Sequence, residues 1–205
     1  MTLEPLDGEA HASALWQAFA GHDDLWPWLA DGPFASEHEL RLAIEAKQRS
    51  AEMIFFAIVP TESDCAEGWT CFMRMEPTHG VVELGNLVFA PSLQRTTAAT
   101  EAIFLMAGHV FDHLQYRRCE WKCNAENLPS RRAAERFGFT FEGIFRQHMI
   151  VKGRSRDTAW FSMLDSEWPV RKRAFEAWLA PDNFAGDGRQ RQSLLEIAAT
   201  QSKSR

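Results

Sequence analysis

The chain has 205 residues, 45% of them hydrophobic and 24% charged, enough to bury a substantial core within one domain. Its formal net charge of −6 argues against a nucleic-acid binder and favours a cationic partner such as an amine. The amino-terminal run Met1 to Asp7 has neither a basic start nor an apolar stretch, and nowhere do about eighteen uncharged apolar residues follow one another, so neither a signal peptide nor a membrane span is expected.

Residues 8–20 and 36–49 carry helical spacing, the second opened by Ser36 with Glu39 three residues on, a capping box. The aromatic segment 24–29 between them reads as a loop. Residues 53–60, 69–75 and 81–91 are short apolar runs separated by turn-forming residues, each the length of a strand. From Thr97 the period changes. Ala99, Ala102, Ile103, Met106, Val110 and Leu114 fall at three- and four-residue steps, one face of a long helix. A strand-to-helix switch is therefore predicted near residues 91–96. Residues 118–123 alternate with period two, 127–137 return to helix with Pro129 in the first turn, and Gly138 stands where that helix stops. Residues 139–151 and 157–164 read as strands joined by a turn at 152–156, and Asp165 or Ser166 is placed to cap a last helix over 168–179. Trp121 and Trp160, alternating with polar neighbours, read as inward-facing core. The pattern predicts one domain over residues 1–180 and a polar tail over 181–205.

Cys65, Cys71, Cys119 and Cys123 form no C-x-x-C pair, and the histidines lack a zinc-ligand spacing. On one strand, Cys119 and Cys123 lie about 13 Å apart at roughly 3.3 Å per residue, beyond disulfide reach. A reducing, cytoplasmic compartment and no metal site are the expectation.

A strand that runs straight into a helix with a small, polar first turn aims free N–H groups and the positive helix end at one spot. Residues 94–102 fit that description. Arg95 adds positive charge, Thr96, Thr97 and Thr100 add hydroxyls suited to a pyrophosphate, and Ala98 and Ala99 complete the turn. A plain helix start with threonine caps is the competing reading.

The run from Glu83 to Pro91, followed by residues 94–102, resembles the acetyl-CoA signature of the GNAT N-acetyltransferases, nearest the ribosomal-protein-alanine (RimJ/RimL-like) branch. The family pattern Q/R-x-x-G-x-G/A falls on Gln94, Thr97 and Ala99, with Thr97 in place of a glycine. A β-branched residue resists positive φ, so ordinary helical dihedrals are expected at Thr97. A second block, Asn127, Ser130, Gly138-Phe139 and Glu142-Gly143, is similar to the family's N-x-x-S…G-F…E-G. The resemblance implies an α/β fold of α+β type, a mostly antiparallel mixed sheet flanked by helices and splayed between the strand ending near Ala90 and the strand 118–123. It also implies acetyl-CoA as acyl donor, its pantetheine arm pairing with the backbone of Leu87, Val88 and Phe89 as an added strand would.

Direct attack by an amine on a thioester needs a neutral amine, a stabilised oxyanion and a proton for the departing thiolate. By resemblance Ser130 is the acid and Asn127 holds the pantetheine amides, with a mere first-turn helix role as the alternative for Ser130. Glu83, on the strand leading to the thioester, is the leading base, and a structural carboxylate paired with an arginine is the alternative. Glu76, Glu142 and His148 have suitable chemistry without a motif. Tyr116, the single tyrosine, precedes the strand and reads as a packing aromatic. Trp26, Trp28 and Phe34 fall in the region that by resemblance lines the acceptor groove, against simple packing between two helices. Arg146, Arg154, Arg156 and Asp157 either clamp an acidic group of the acceptor or pair among themselves, and the second is the expectation.

The sequence therefore predicts an N-acyltransferase whose partner is an amine acceptor, a protein amino terminus or a small molecule. A CoA-binding sensor without catalysis is the alternative, and a homodimer is compatible with either. No nucleic-acid or membrane partner is expected.

Overall fold

Runs rich in β-branched, aromatic and cysteine side chains pair edge to edge in the computed structural model, which describes residues 1–202. The strands are β1 (Thr2–Pro5), β2 (Ile54–Val59), β3 (Gly68–Glu76), β4 (Val81–Phe89), β5 (Arg118–Asn124), β6 (Thr140–Val151) and β7 (Arg154–Leu164). They lie in the order β1-β2-β3-β4-β5-β7-β6, antiparallel throughout except for the parallel pair β4 and β5. Helices α1 (Gly8–Phe19), α2 (Glu37–Gln48), α3 (Thr97–Gly108), α4 (Leu128–Arg136), α5 (Trp168–Leu179) and α6 (Leu194–Ser202) flank this sheet. The mixed α/β architecture that the resemblance implied, a mostly antiparallel sheet flanked by helices, is the one observed. Among the described residues, no helix is long and apolar enough to cross a membrane.

Strand alternation sorts the core into two layers. On one face α1 and α2 bring Leu15, Leu40 and Ile44 against Phe55, Ala57, Trp69 and Cys71. On the other, Ile103, Met106, Phe175 and Trp178 pack on Val82, Leu84, Cys119, Trp121, Phe161 and Met163. Glu83, between Val82 and Leu84, consequently points to the α1/α2 face.

Local chemistry sets the boundaries. Ser36 accepts from Glu39 N–H, while the Glu39 carboxylate reaches one residue further back than a standard capping box, to Ala35 N–H at 2.9 Å. Gly138, at φ 90°, closes α4 in a Schellman motif, its own N–H bonding Glu135 O and that of Phe139 bonding Ala134 O. The β6–β7 turn is shorter than expected. Lys152 and Gly153, both at positive φ (48° and 73°), make a two-residue hairpin and leave 154–156 to β7.

Four other expectations change. The helix beginning at Thr97 passes into a π-helical turn, His109–His113, so Leu114 falls off the buried face and is 40% exposed. Neither Asp165 nor Ser166 caps α5. Its N-cap position is Glu167, whose carboxylate turns back to Leu164 N–H. Trp121 is core, but Trp160 lies half-buried on the opposite face. The segment expected to be a polar tail folds back, with Leu194, Ile197 and Ala198 buried in the α5 layer and Asn183 Nδ2 donating to Trp178 O and Gln192 O. Its last three residues, 203–205, lie outside the described residues.

Since Leu194 is 3% exposed, Leu194→Ala removes buried methyl groups and is expected to cost about 2–4 kcal/mol. Urea unfolding will show this as a lower midpoint at unchanged m-value.

Candidate active site

The site begins where β4 and β5 part. They pair through Val81↔Arg118, Val82↔Cys119, Glu83↔Glu120 and Leu84↔Trp121, and no further, although β4 runs on to Phe89 and β5 to Asn124. The cause lies on the other edge of β4. Its register against β3 jumps from Gly85↔Cys71 to Val88↔Trp69, a bulge with Asn86 at φ 50° that kinks the strand away from β5. Gly85 permits the kink, because a Cβ there would meet Met73 Sδ at 2.4 Å. Beyond Gly85 the β5-facing backbone edge of β4 has no strand partner among the described residues. The extra residue also swaps faces, so Val88 is buried under α1 and α2 while Leu87 and Phe89 pack toward α3. Of the three residues expected to offer backbone to the pantetheine arm, Val88 therefore differs from Leu87 and Phe89 in the face its side chain takes.

Past Phe89 the chain turns directly into α3. Gln94 Nε2 donates to Phe89 O at 2.9 Å and ties the turn to the strand end, and Thr96 caps the helix by accepting from Ala99 N–H. Positive φ falls on Arg95 (63°) and not on Thr97, which is helical as expected. The N–H groups of Thr97 and Ala98 lie in the first turn, where no helical carbonyl reaches them. Arg95 and Thr97 are exposed beside them. Thr100 departs from expectation: 2% exposed, its hydroxyl donates to Thr96 O and accepts from Arg136 Nη1, so it faces the core and not a phosphate.

Ser130 sits in the first turn of α4, its N–H accepted by Asn127 Oδ1 at 3.1 Å. Its Oγ accepts from Trp121 Nε1 at 3.0 Å and lies beside the Cys123 thiol, on the stretch of β5 that has left β4. With a lone pair engaged by Trp121, the hydroxyl hydrogen is directed elsewhere, toward the neighbouring Cys123 thiol. Asn127 Oδ1 is committed to the cap, which leaves its Nδ2 as the free donor.

On the α1/α2 face a belt of charge crosses the sheet. Lys122 Nζ lies 3.1 Å from Glu83 and 2.7 Å from Glu120, Arg74 Nε lies 3.2 Å from Glu83, and Arg118 joins Glu120 to Glu142. The Lys122 side chain is 5% exposed and its Nζ stands 3.8 Å over the Trp160 ring, a cation–π contact. Both cations approach Glu83 Oε2 off the direction of a hydrogen bond, so that buried oxygen has no aligned donor. Burial pushes the Glu83 carboxyl above its ordinary range against the pull of Lys122 and Arg74. His148 Nδ1 is 3.0 Å from Thr158 Oγ1, its ring 5.7 Å from that of Trp160. Burial and the nearby Arg74, Arg156 and Lys122 lower its pKa and favour neutral imidazole. Sequence reasoning passed over Lys122, Arg74 and Trp160 because a polar strand face reads as solvated; the one signal was the period-two charge at 118, 120 and 122.

Of the residues expected to line the acceptor groove, Trp26 is withdrawn. It is 3% exposed, locked edge-on between Phe19 and Phe34 against Trp69, because the loop needs an apolar anchor beneath Gly32. Phe34 packs on that anchor, and Trp28 stays partly exposed. The same loop receives Lys152 from the β6–β7 turn, whose Nζ donates to the carbonyls of Trp26, Asp31 and Gly32 at 2.9, 2.8 and 2.5 Å. This bridge crosses from the β5-β7-β6 half of the sheet to the helical layer over the other half. Arg146, Arg154 and Arg156 do not pair among themselves or with Asp157 as expected. Among the described residues none of them forms an ion pair, and Asp157 instead accepts from Gln147 N–H.

A strand split beside an open helix start is the architecture of acyl-CoA-dependent transferases, and similarity to known proteins agrees. The sequence profile of the Acetyltransferase (GNAT) domain family matches residues 1–140, and the chain belongs to that family. It is an N-acetyltransferase; GNAT acetyltransferases use acetyl-CoA. A crystal structure of a GCN5-related N-acetyltransferase from Brucella melitensis superposes with a TM-score of 0.94 at 48% identity, over 96% of this chain and 90% of that one. A GNAT-family acetyltransferase structure from Chromobacterium violaceum gives 0.77 at 44%, over 82% and 84%. The uncharacterized N-acetyltransferase YnaD of Bacillus subtilis is 27% identical over 157 residues, 75% of this chain and 89% of its own length.

Glu142 of the E-G block is held by Arg118 and by Ser162 Oγ at 2.7 Å, and the guanidinium draws its carboxyl down to about 2. A lowered carboxyl contributes stability above its unfolded pKa of about 4.3 and loses it as pH falls through the folded value. Glu142→Gln is accordingly expected to lower the urea midpoint at neutral pH, and the gap from wild type to narrow as the pH falls below about 4.3.

Proposed function

We propose that this N-acetyltransferase carries an acetyl group from acetyl-CoA to a primary amine by direct attack in the β4–β5 split, with no covalent enzyme intermediate. The observation that carries the reading is the coincidence, at one end of the split, of an unpaired β4 edge, an open helix start and a Ser130 hydroxyl oriented by Trp121 beside the Cys123 thiol. These groups fit the donor. The β4 edge from Gly85 to Phe89 offers backbone to an amide-bearing arm, Asn127 Nδ2 adds a donor, and the N–H groups of Thr97 and Ala98 with Arg95 suit a pyrophosphate. Bound there, acetyl-CoA supplies an activated thioester.

Ser130 Oγ gives its proton to the departing sulfur and regains one from the nitrogen of the newly formed amide, and the Trp121 N–H keeps that oxygen oriented. Glu83 takes the proton of the incoming ammonium, directly or through a water. Its raised pKa makes it a stronger base than an exposed carboxylate, and Lys122 and Arg74 hold it in place. The acceptor approaches over Trp160 and Trp28 on the α1/α2 face. The motif resemblance supports a place near the RimJ/RimL-like branch, and with it a protein amino terminus or small amine as acceptor in the cytoplasm. The alternative of an inactive sensor drew on Thr97 and on the lack of a tyrosine placed as the leaving-group acid, since Tyr116 precedes the strand. With the left-handed turn taken by Arg95, Thr97 raises no obstacle.

Calorimetric titration with acetyl-CoA tests the donor site. Thr97→Gly is expected to bind like wild type, and Arg95→Glu to bind at least about tenfold more weakly through loss of a charge-assisted contact. In turnover, Ser130→Ala should lower kcat about a hundredfold at unchanged acetyl-CoA affinity. The rate should rise with pH through a midpoint above the ordinary carboxylate range, because the deprotonated form of Glu83 is the active one, and that limb should vanish in Glu83→Gln. Wild-type activity without such a limb would remove Glu83 from the mechanism.

A further inference from the structure

Two buried donors on the acceptor side of the split have no acceptor among the described residues. Arg156 Nε and Trp160 Nε1 are both shielded from solvent and without a hydrogen-bond partner, and among the described residues no carboxylate lies within ion-pair distance of Arg156. Four residues apart on β7, the two side chains share a strand face with Thr158, to which His148 bonds. The guanidinium is close enough to act on His148, Glu83 and Cys123 at the mouth of the split. Leaving the buried Arg156 Nε–H and the buried indole N–H unmet is costly, and neither finds an acceptor among the described residues. The vacant capacity has one sign at each end. Glu83 Oε2 is a buried acceptor lacking an aligned donor, and Arg156 with Trp160 are buried donors lacking an acceptor.

We infer that the acetyl acceptor is a small amine that also bears an anionic oxygen group, its ammonium meeting Glu83 and its carboxylate or similar anion meeting Arg156, with the Trp160 N–H as a second donor. The inference rests on the proposed amine transfer and narrows its substrate class. Arg156 is then a specificity determinant. The Lys152 bridge favours a small acceptor over a polypeptide, since three hydrogen bonds join the hairpin tip to the α1–α2 loop across the split.

The test reads binding apart from turnover. N-acetylglycine, N-acetyl-β-alanine and N-acetyl-γ-aminobutyrate, a ruler of amine-to-acid spacing, are titrated into the full chain saturated with CoA, beside the uncharged N-ethyl-, N-propyl- and N-butylacetamide. At least one acid should bind about tenfold to a hundredfold more tightly than its uncharged counterpart. Arg156→Gln should abolish that preference, Arg156→Lys should keep part of it, and acetyl-CoA affinity should stay at the wild-type value in both. Equal or undetectable binding of acids and uncharged amides by wild type overturns the inference, as does an Arg156→Gln variant that weakens both sets alike or weakens acetyl-CoA. Turnover of free amines separates the two readings. Acid preference in binding without acetylation of any amine would sink the transferase reading and leave the anion site standing. Equal turnover of amino acids and plain alkylamines would do the reverse.

Discussion

The parting of β4 from β5 is the constraint on which the rest of this structure depends. Parallel neighbours ordinarily continue pairing as far as both strands last, because unpaired backbone groups inside a protein are costly. Here the pairing stops at Leu84↔Trp121 because the Asn86 bulge bends β4 toward β3, and Gly85 lets the Met73 sulfur take the space a side chain would fill. The strand end is thereby aimed at the start of α3, and the Gln94 side chain fastens the turn between them to Phe89 O. A cleft, a helix start and the first turn of α4 converge at that point.

Around the cleft, polar groups are arranged by burial on one face and by charge on the other. On the α3 side a single indole N–H orients Ser130 within an otherwise apolar layer. On the α1/α2 side the sheet carries an alternating row, Arg74, Glu83, Lys122, Glu120, Arg118 and Glu142, each charge flanked by its opposite. Such a row need not add stability, because desolvation offsets most of the attraction. What it supplies is position. Lys122 is shared between Glu83 and Glu120 and seated on the Trp160 ring, so Glu83 is held at the last paired rungs before the split. A carboxylate kept dry there is the kind of group from which general bases are made.

Much of this was legible in the residues. The strand-to-helix switch near Thr97, the α4 start with Pro129 in its first turn and its stop at Gly138 follow from period, proline and glycine, which act over a few residues. The two motif blocks marked Gln94, Asn127 and Ser130. Local rules failed where the deciding neighbour is distant in sequence. Thr100 has the look of a phosphate donor until Arg136, thirty-six residues on, claims its hydroxyl. Trp26 has the look of an exposed groove residue until Phe19, Phe34 and Trp69 close around it. The segment after Pro181 has a tail's composition, yet three apolar side chains within it suffice to dock α6.

The sequence by itself determined most of the strands and helices, β1 and α6 excepted, that a small polar turn follows β4, and that the family is GNAT, because those properties reside in short-range periodicity and contiguous motifs. Only the tertiary structure decided that β4 leaves β5 after Leu84, that Glu83 is a buried carboxylate between two cations, that Arg156 has no ion-pair partner among the described residues, and that Lys152 bridges the two halves of the sheet. Each of these is a relation between residues tens of positions apart. Its energy depends on desolvation and on distances of a few ångströms, which exist only once the strands have been laid side by side.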